Sequence, residues 1–127
     1  MFSHIMLGAN DLQASQTFYD ATFKALGYKA GTIDRKGRYI NQTDTGLFMI
    51  TKPLNGEAAT HGNGSTIGFS AATPEMADAW HKAGLESGGT ACEDAPGVRD
   101  LGRMKLYLAY LRDPSGNKIC VLCPVTE

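Results

Sequence analysis

The sequence predicts an α+β fold in which one strand–helix–strands unit is used twice, and three landmarks carry that reading. His4-Ile5-Met6-Leu7 and Thr66-Ile67-Gly68-Phe69 read as short apolar strands, Asp11 and Thr73 as helix starts, and Gly27 and Gly89 as helix stops. The copies stand 62 residues apart at every landmark, since 66 minus 4, 73 minus 11 and 89 minus 27 agree. Two units of this length do not make a solenoid. Each has a sheet face to bury against the other, which predicts a paired module enclosing a cleft.

The first strand is expected at residues 2–8. Asn10 or Asp11 then caps a helix, because a short side-chain oxygen accepts from the free backbone donors of the first turn. Leu12, Tyr19, Phe23 and Leu26 share one helix face, and Gly27 stops it. Residues 28–34, 37–43 and 47–52 read as three short strands separated by Arg35-Lys36-Gly37 and Asp44-Thr45-Gly46 turns. A connector of small and turn-forming residues, 55–63, separates module one (1–54) from module two (64–127) in a single predicted domain. In the second copy Thr73-Pro74 places proline at the first helical position, Met76, Trp80 and Ala83 face inward, and Gly88-Gly89 ends the helix. A short strand near Thr90 precedes a proline- and glycine-rich rim or lid loop at 93–103. Residues 105–112 and 117–123 form a hairpin across Asp113-Pro114-Ser115-Gly116, where proline presets φ at the second turn position and glycine suits the fourth.

A chain of 127 residues can bury roughly two thirds of its unfolded surface. A net charge of −1 gives no electrostatic pull toward nucleic acid or acidic membranes. No apolar run approaches a membrane span, and Met1-Phe2-Ser3-His4 lacks the basic start of a secretory signal, so a cytoplasmic location is expected. Three cysteines, Cys92, Cys120 and Cys123, fit reduced thiols. Cys120 and Cys123 spell C-x-x-C, but on a strand positions three apart face opposite ways, which argues against a thioredoxin-like dithiol.

The opening His4-Ile5 strand, Phe18-Tyr19 before Leu26-Gly27, Gly62-Asn63-Gly64 and above all Tyr110-Leu111-Arg112-Asp113-Pro114-Ser115-Gly116-Asn117-Lys118-Ile119 resemble the vicinal oxygen chelate superfamily. That group includes glyoxalase I, extradiol dioxygenases and bleomycin-resistance proteins. The resemblance implies two βαβββ modules whose eight strands form a U-shaped, incompletely closed barrel with flanking helices, in a homodimer. It also implies metal ligands on the first and last strand of each module. Carried over, these fall on His4, Ile50, Thr66 and Cys120, where metal-using members hold histidines and glutamates and only His4 matches.

Ile50 has no donor atom and Thr66 is a weak neutral one, which leaves His4 and Cys120 as possible ligands for Zn, Ni, Fe or Mn. Each has a second reading: His4 as a polar cleft residue, Cys120 as a small buried hydrophobe. His61 in the connector is a further imidazole near Thr66 in sequence. Period-two alternation from the positions that the resemblance implies face inward predicts a cleft face of His4, Met6, Phe48, Ile50, Thr66, Gly68, Cys120 and Leu122. Arg38, Arg99 and Arg103 are candidate contacts to an anionic or oxygen-rich ligand, since a guanidinium grips a carboxylate at two points. The expected function is metal-independent binding of a metabolite or xenobiotic at a decayed metal site, without a cofactor. The alternative is a metal-dependent glyoxalase-type lyase or isomerase, or a dioxygenase, using unconventional ligands.

Overall fold

The computed structural model describes residues 1–126; Glu127, the expected end of module two, lies outside the described residues. The elements run β1 (His4–Gly8), α1 (Leu12–Ala25), β2 (Thr32–Ile33), β3 (Tyr39–Gln42), β4 (Leu47–Thr51), β5 (Ile67–Ser70), α2 (Pro74–Glu86), β6 (Thr90–Ala91), β7 (Gly97–Asp100), β8 (Lys105–Arg112) and β9 (Lys118–Pro124). Among the described residues no helix is long and apolar enough to cross a membrane.

Both helices begin as their sequences demand. Asp11 accepts from Ala14 N and Thr73 accepts from Met76 N, each satisfying an otherwise free first-turn donor. They end differently from the expected pairing. Gly27 at φ 89° and Gly88 at φ 100° provide the left-handed residue after each helix, so the stops are 61 residues apart because α2 has 13 residues and α1 has 14. Gly89 answers to a different demand, since a Cβ there would strike the Phe18 ring. Likewise Gly84, not Ala83, is buried on α2, because a side chain would collide with Leu111 and Phe18. The helices therefore pack closely where glycine lets them.

The two sheets follow one plan. The first has order β1-β4-β3-β2 and the second β5-β9-β8-β6 with β7 also on β8. In each, the strand before the helix pairs parallel to the last strand of its module and the other neighbours are antiparallel. The sheets remain separate and do not close into a barrel. The 93–103 segment is not wholly loop: β7 pairs with Lys105–Leu108, whereas β6 pairs with Leu111–Arg112 on the same edge of β8. Residues 92–96 bulge between them, with Glu93 at φ 58° and ion-paired to Lys118. In module one the expected 28–34 strand shrinks to Thr32–Ile33, because Gly31 N is drawn to Asp20 Oδ1 at 2.8 Å.

One core cluster takes residues from both modules, including Phe18, Tyr19, Phe23, Tyr39, Phe48, Ile50, Trp80, Leu111, Ile119 and Val121. Its polar centre is Asp113, which is 2% exposed. That carboxylate accepts from the Tyr19 hydroxyl at 2.6 Å, from Asn117 Nδ2 at 2.9 Å, and from the backbone N–H groups of Ser115 and Asn117 at 2.9 and 3.0 Å. Asn117 Nδ2 also donates to Gly8 O at 2.9 Å, and Asn10 N donates to Ser115 Oγ at 3.0 Å. The β8–β9 turn is thereby tied to the end of β1 and to α1. The connector is clasped at the same place, Ala59 N donating to Asn10 Oδ1 at 2.7 Å.

Replacing Asp113 by alanine leaves the Tyr19 hydroxyl and the backbone N–H groups of Ser115 and Asn117 without the acceptor they use, and urea unfolding should show a loss of about 3 kcal/mol. Tyr19→Phe removes only one of four donors and should cost about 1 kcal/mol in the same assay. Tyr19 has its phenol raised well above the ordinary range, first by burial and then by the Asp113 charge. A raised folded-state value gives stability that is complete below the unfolded phenol value of about 10 and is lost as pH rises beyond it. Melting temperature should therefore fall above about pH 10, and less steeply in Tyr19→Phe; identical slopes in the two proteins would assign the fall to other groups.

Candidate functional site

Strand register decides which side chains share a face. In sheet one His4 lies beside Leu47, Met6 beside Met49, Ile5 beside Phe48 and Leu7 beside Ile50. Neighbours across a ladder point the same way, so His4, Met6, Leu47 and Met49 form one face and Ile5, Leu7, Phe48 and Ile50 the other. The second group packs into the core under the helices. The expectation that Phe48 and Ile50 share the cleft face with His4 and Met6 is therefore corrected by one residue. Leu47-Phe48-Met49-Ile50 is an unbroken apolar run, so its sequence carries no alternation from which the inward parity could be read.

Sheet two gives the matching face. Gly68 lies beside Cys120, Ser70 beside Leu122, Cys120 beside Tyr110 and Leu122 beside Leu108. Thr66, two residues before Gly68, has the same parity and is exposed just ahead of β5. The repeat makes the correspondence concrete: Gly68 pairs with Cys120 as Met6 pairs with Met49. By this register the position that the resemblance puts at Ile50 falls to Met49, so the four corner positions that the resemblance implies are His4, Met49, Thr66 and Cys120.

These corners offer an imidazole, a thioether, a hydroxyl and a thiol. His4 is exposed and its Nδ1 lies 2.8 Å from Ser3 Oγ. Cys120 is 7% exposed, and burial, followed by the Glu93 charge, pushes its thiol up to about 11. Such a thiol is protonated at neutral pH, whereas metal ligation and nucleophilic attack need thiolate. Among the described residues no three His, Cys, Asp or Glu side chains gather where they could hold a metal ion. The donor set does not fit a divalent cation, because the His4 imidazole is its only strong ligand.

The expected guanidinium contacts are held locally. Arg38 is paired with Asp34, at 2.6 Å from Nη2 to the carboxylate. Arg99 donates through Nη1 to the carbonyls of Ala95 and Gly97 and through Nη2 to that of Asp94, bracing the bulge. Arg103 is exposed in the β7–β8 turn. His61 sits against the β8–β9 turn, its ring beside Gly116. Three charged or aromatic groups that the spacing did not single out as site residues do share the cleft face of sheet two. Lys118 lies 5.1 Å over the Tyr110 ring and carries the ion pair from Glu93, all next to Cys120.

A cavity of about 240 Å³ opens elsewhere, at the junction of the two sheets. Its walls include Phe23, Tyr28, Asn41, Phe48 and Phe69, together with Thr43, Thr45 and Gly46 of the β3–β4 turn and Ser70. Of the residues singled out from sequence as cleft-facing, Phe48 and Gly68 reach it.

Comparison with known proteins agrees with this architecture. The family model described as glyoxalase/bleomycin resistance protein/dioxygenase superfamily matches residues 1–121. A glyoxalase/bleomycin resistance protein from Albidiferax ferrireducens, known from its crystal structure, is 56% identical, covers 96% of this chain and 98% of its own, and superposes with a TM-score of 0.92. A glyoxalase/bleomycin resistance protein/dioxygenase family enzyme from Burkholderia phytofirmans shares the fold at 19% identity and a TM-score of 0.74, covering 97% of this chain and 98% of that one. A glyoxalase-related enzyme from Fulvimarina pelagi does so at 18% and 0.72, covering 97% and 87%. No curated protein matches the chain. With its doubled strand–helix–strands plan, its β8–β9 turn and a family match over nearly its whole length, the chain belongs to the glyoxalase/bleomycin resistance protein/dioxygenase superfamily.

Proposed function

We propose that this protein binds a small metabolite or xenobiotic on the cleft face without a metal, at a site that has lost the ligand set of the superfamily's metal enzymes. The observation that carries this reading is the identity of the four corners. Family metals act as Lewis acids on oxygen-rich substrates and need several anionic or imidazole donors with open positions for substrate. His4, Met49, Thr66 and Cys120 supply neither a carboxylate nor a thiolate at neutral pH. The same face is largely apolar, with Met6, Leu47, Leu108, Tyr110 and Leu122 around the corners, which suits an aliphatic or aromatic ligand.

A second copy of the chain would complete the cleft. Met6 is 38% exposed on this face, and Leu47, Tyr110 and Leu122 are half-buried beside it. In the single chain the two sheets lie open, so facing sheets from two copies would give the U-shaped, eight-stranded enclosure in a homodimer. Three free thiols are consistent with a reducing, cytoplasmic setting.

Elemental analysis of the purified protein, followed by titration with Ni, Zn, Fe and Mn salts, tests the proposal. Substoichiometric metal and weak binding are expected, unchanged in His4→Ala. Tight one-to-one uptake lost in His4→Ala would overturn it and favour a metal-dependent lyase or dioxygenase. Thiol labelling checks the chemistry of the corner independently. With maleimide at pH 7.5 the half-buried Cys92 should react first, and Cys120 only after denaturation; rapid native labelling of Cys120 would show a thiolate that the proposal does not allow.

A further inference from the structure

We propose that the cavity at the sheet junction is a second binding site, at the edge of the cleft face and distinct from its four corner positions, for a small neutral flat aromatic molecule bearing one N–H or O–H donor. The site arises from the repeat itself. On one side of the molecule the β8–β9 turn fills the space at the end of β1 and locks there through Asn117 to Gly8 O. The matching turn of module one is Thr43–Gly46, between β3 and β4, and the residue 62 beyond Gly8 is Ser70. No such lock forms between them. Thr43 folds back on its own turn, its Oγ1 donating to Gly46 O at 3.1 Å and accepting from Gly46 N at 3.2 Å. The module-one turn and Ser70, instead of being locked together, both line the cavity.

The walls specify the ligand. Phe23, Phe48 and Phe69 stand edge to face in a triangle, with centroids 5.3, 5.1 and 5.4 Å apart and planes 76° to 87° to one another. Tyr28 adds an edge against Phe23 at 6.1 Å. Such rings favour a further aromatic guest in stacked or edge-on contact. A dry cavity of about 150 Å³ holds one benzene ring, so one of about 240 Å³ has room for two fused rings. No Asp, Glu, Lys, Arg or His lines the cavity, and a charged ligand would be desolvated without a partner.

Asn41 supplies the polar handle, and its orientation is fixed by its neighbours. The Tyr39 hydroxyl donates to Asp20 Oδ1 at 2.7 Å, so it must accept from Asn41 Nδ2, at 3.2 Å. Nδ2 also donates to Lys29 O at 3.0 Å. The opposite atom, Oδ1, is left as a hydrogen-bond acceptor without a protein partner on a side chain only 4% exposed that lines the cavity. Oδ1 is open to the cavity and unused by the protein, so a ligand that brings a donor adds a hydrogen bond to its ring contacts.

The probes are indole and benzofuran, the same bicyclic frame with and without the N–H. The ¹⁵N-labelled full chain is titrated with each and followed by amide and side-chain resonances. Indole should shift Asn41 Nδ2–H, Gly46, Gly68 and Phe69 saturably and bind about tenfold more tightly than benzofuran. Equal affinities, no saturable shift at these positions, or shifts confined to His4 and Cys120 would overturn the proposal. That last outcome would still leave the cleft-face reading standing, and a failed metal prediction would leave this site standing. In Gly46→Leu the new side chain enters open space, since nothing lies within 4 Å of an added Cβ; it should abolish the indole shifts with melting unchanged. If that variant melts lower, the indole to benzofuran ratio on the unaltered protein decides.

Discussion

A single buried carboxylate holds the two modules in register. Asp113 is 2% exposed and takes four hydrogen bonds, two from its own turn and two from side chains, one of which belongs to the other module. A charge so placed is tolerable only when every lone pair is met. That requirement fixes the β8–β9 turn, which fixes Asn117 against Gly8 and so sets where the end of β1 lies. Tyr19 connects the knot to α1, and its ring then packs on Phe18, Phe23 and Phe48 at 4.9, 5.6 and 4.7 Å. The polar constraint and the aromatic core thus meet in one residue, and neither module can shift without breaking both.

With the modules held this way, each strand has one face committed to the common core and one left for function. The committed faces carry Ile5, Phe48, Ile50, Phe69 and Val121; the remaining faces carry His4, Met49, Gly68 and Cys120. Because strand side chains alternate, a slip of one residue exchanges the two sets. The chemistry available to the cleft therefore follows from register before it follows from residue identity. Burial then removes the reactivity of Cys120, since the surroundings that make it a good packing residue make it a poor anion.

Much of this was legible in the sequence because local chemistry announced it. Asp11 and Thr73 cap their helices as short acceptors should, and Pro114 with Gly116 at φ 90° makes the β8–β9 turn. The parity of β4 was not legible, because four consecutive apolar residues satisfy either face. Strand β7 was hidden for the opposite reason: proline, glycine and charge around residues 93–103 read as loop, whereas long-range pairing with β8 imposes extended structure on Gly97–Asp100. The guanidinium of Arg99 is drawn to three backbone carbonyls of the bulge, a demand that appears only once the bulge exists. Asn41 was overlooked because an asparagine on a strand has no pattern that marks it; its importance comes from Tyr39, Asp20 and Lys29, brought to it by the fold.

Duplication also explains where the molecule is unfinished. The two modules share one strand–helix–strands plan, so each offers a turn before its last strand that can meet the first strand of the other. Module two answered with a turn whose carboxylate and amide reach across; module one kept a short turn of threonine and glycine that bonds to itself. A knot on one side is enough to hold the pair, so the other side is free of that structural demand. The space there is lined by core phenylalanines that the packing needs in any case and by an asparagine whose donor group is already taken by Lys29 O and the Tyr39 hydroxyl. An uncharged, phenylalanine-walled cavity with an acceptor on Asn41 is thus a consequence of locking a repeat only once, and the same asymmetry that stabilises the fold supplies the site.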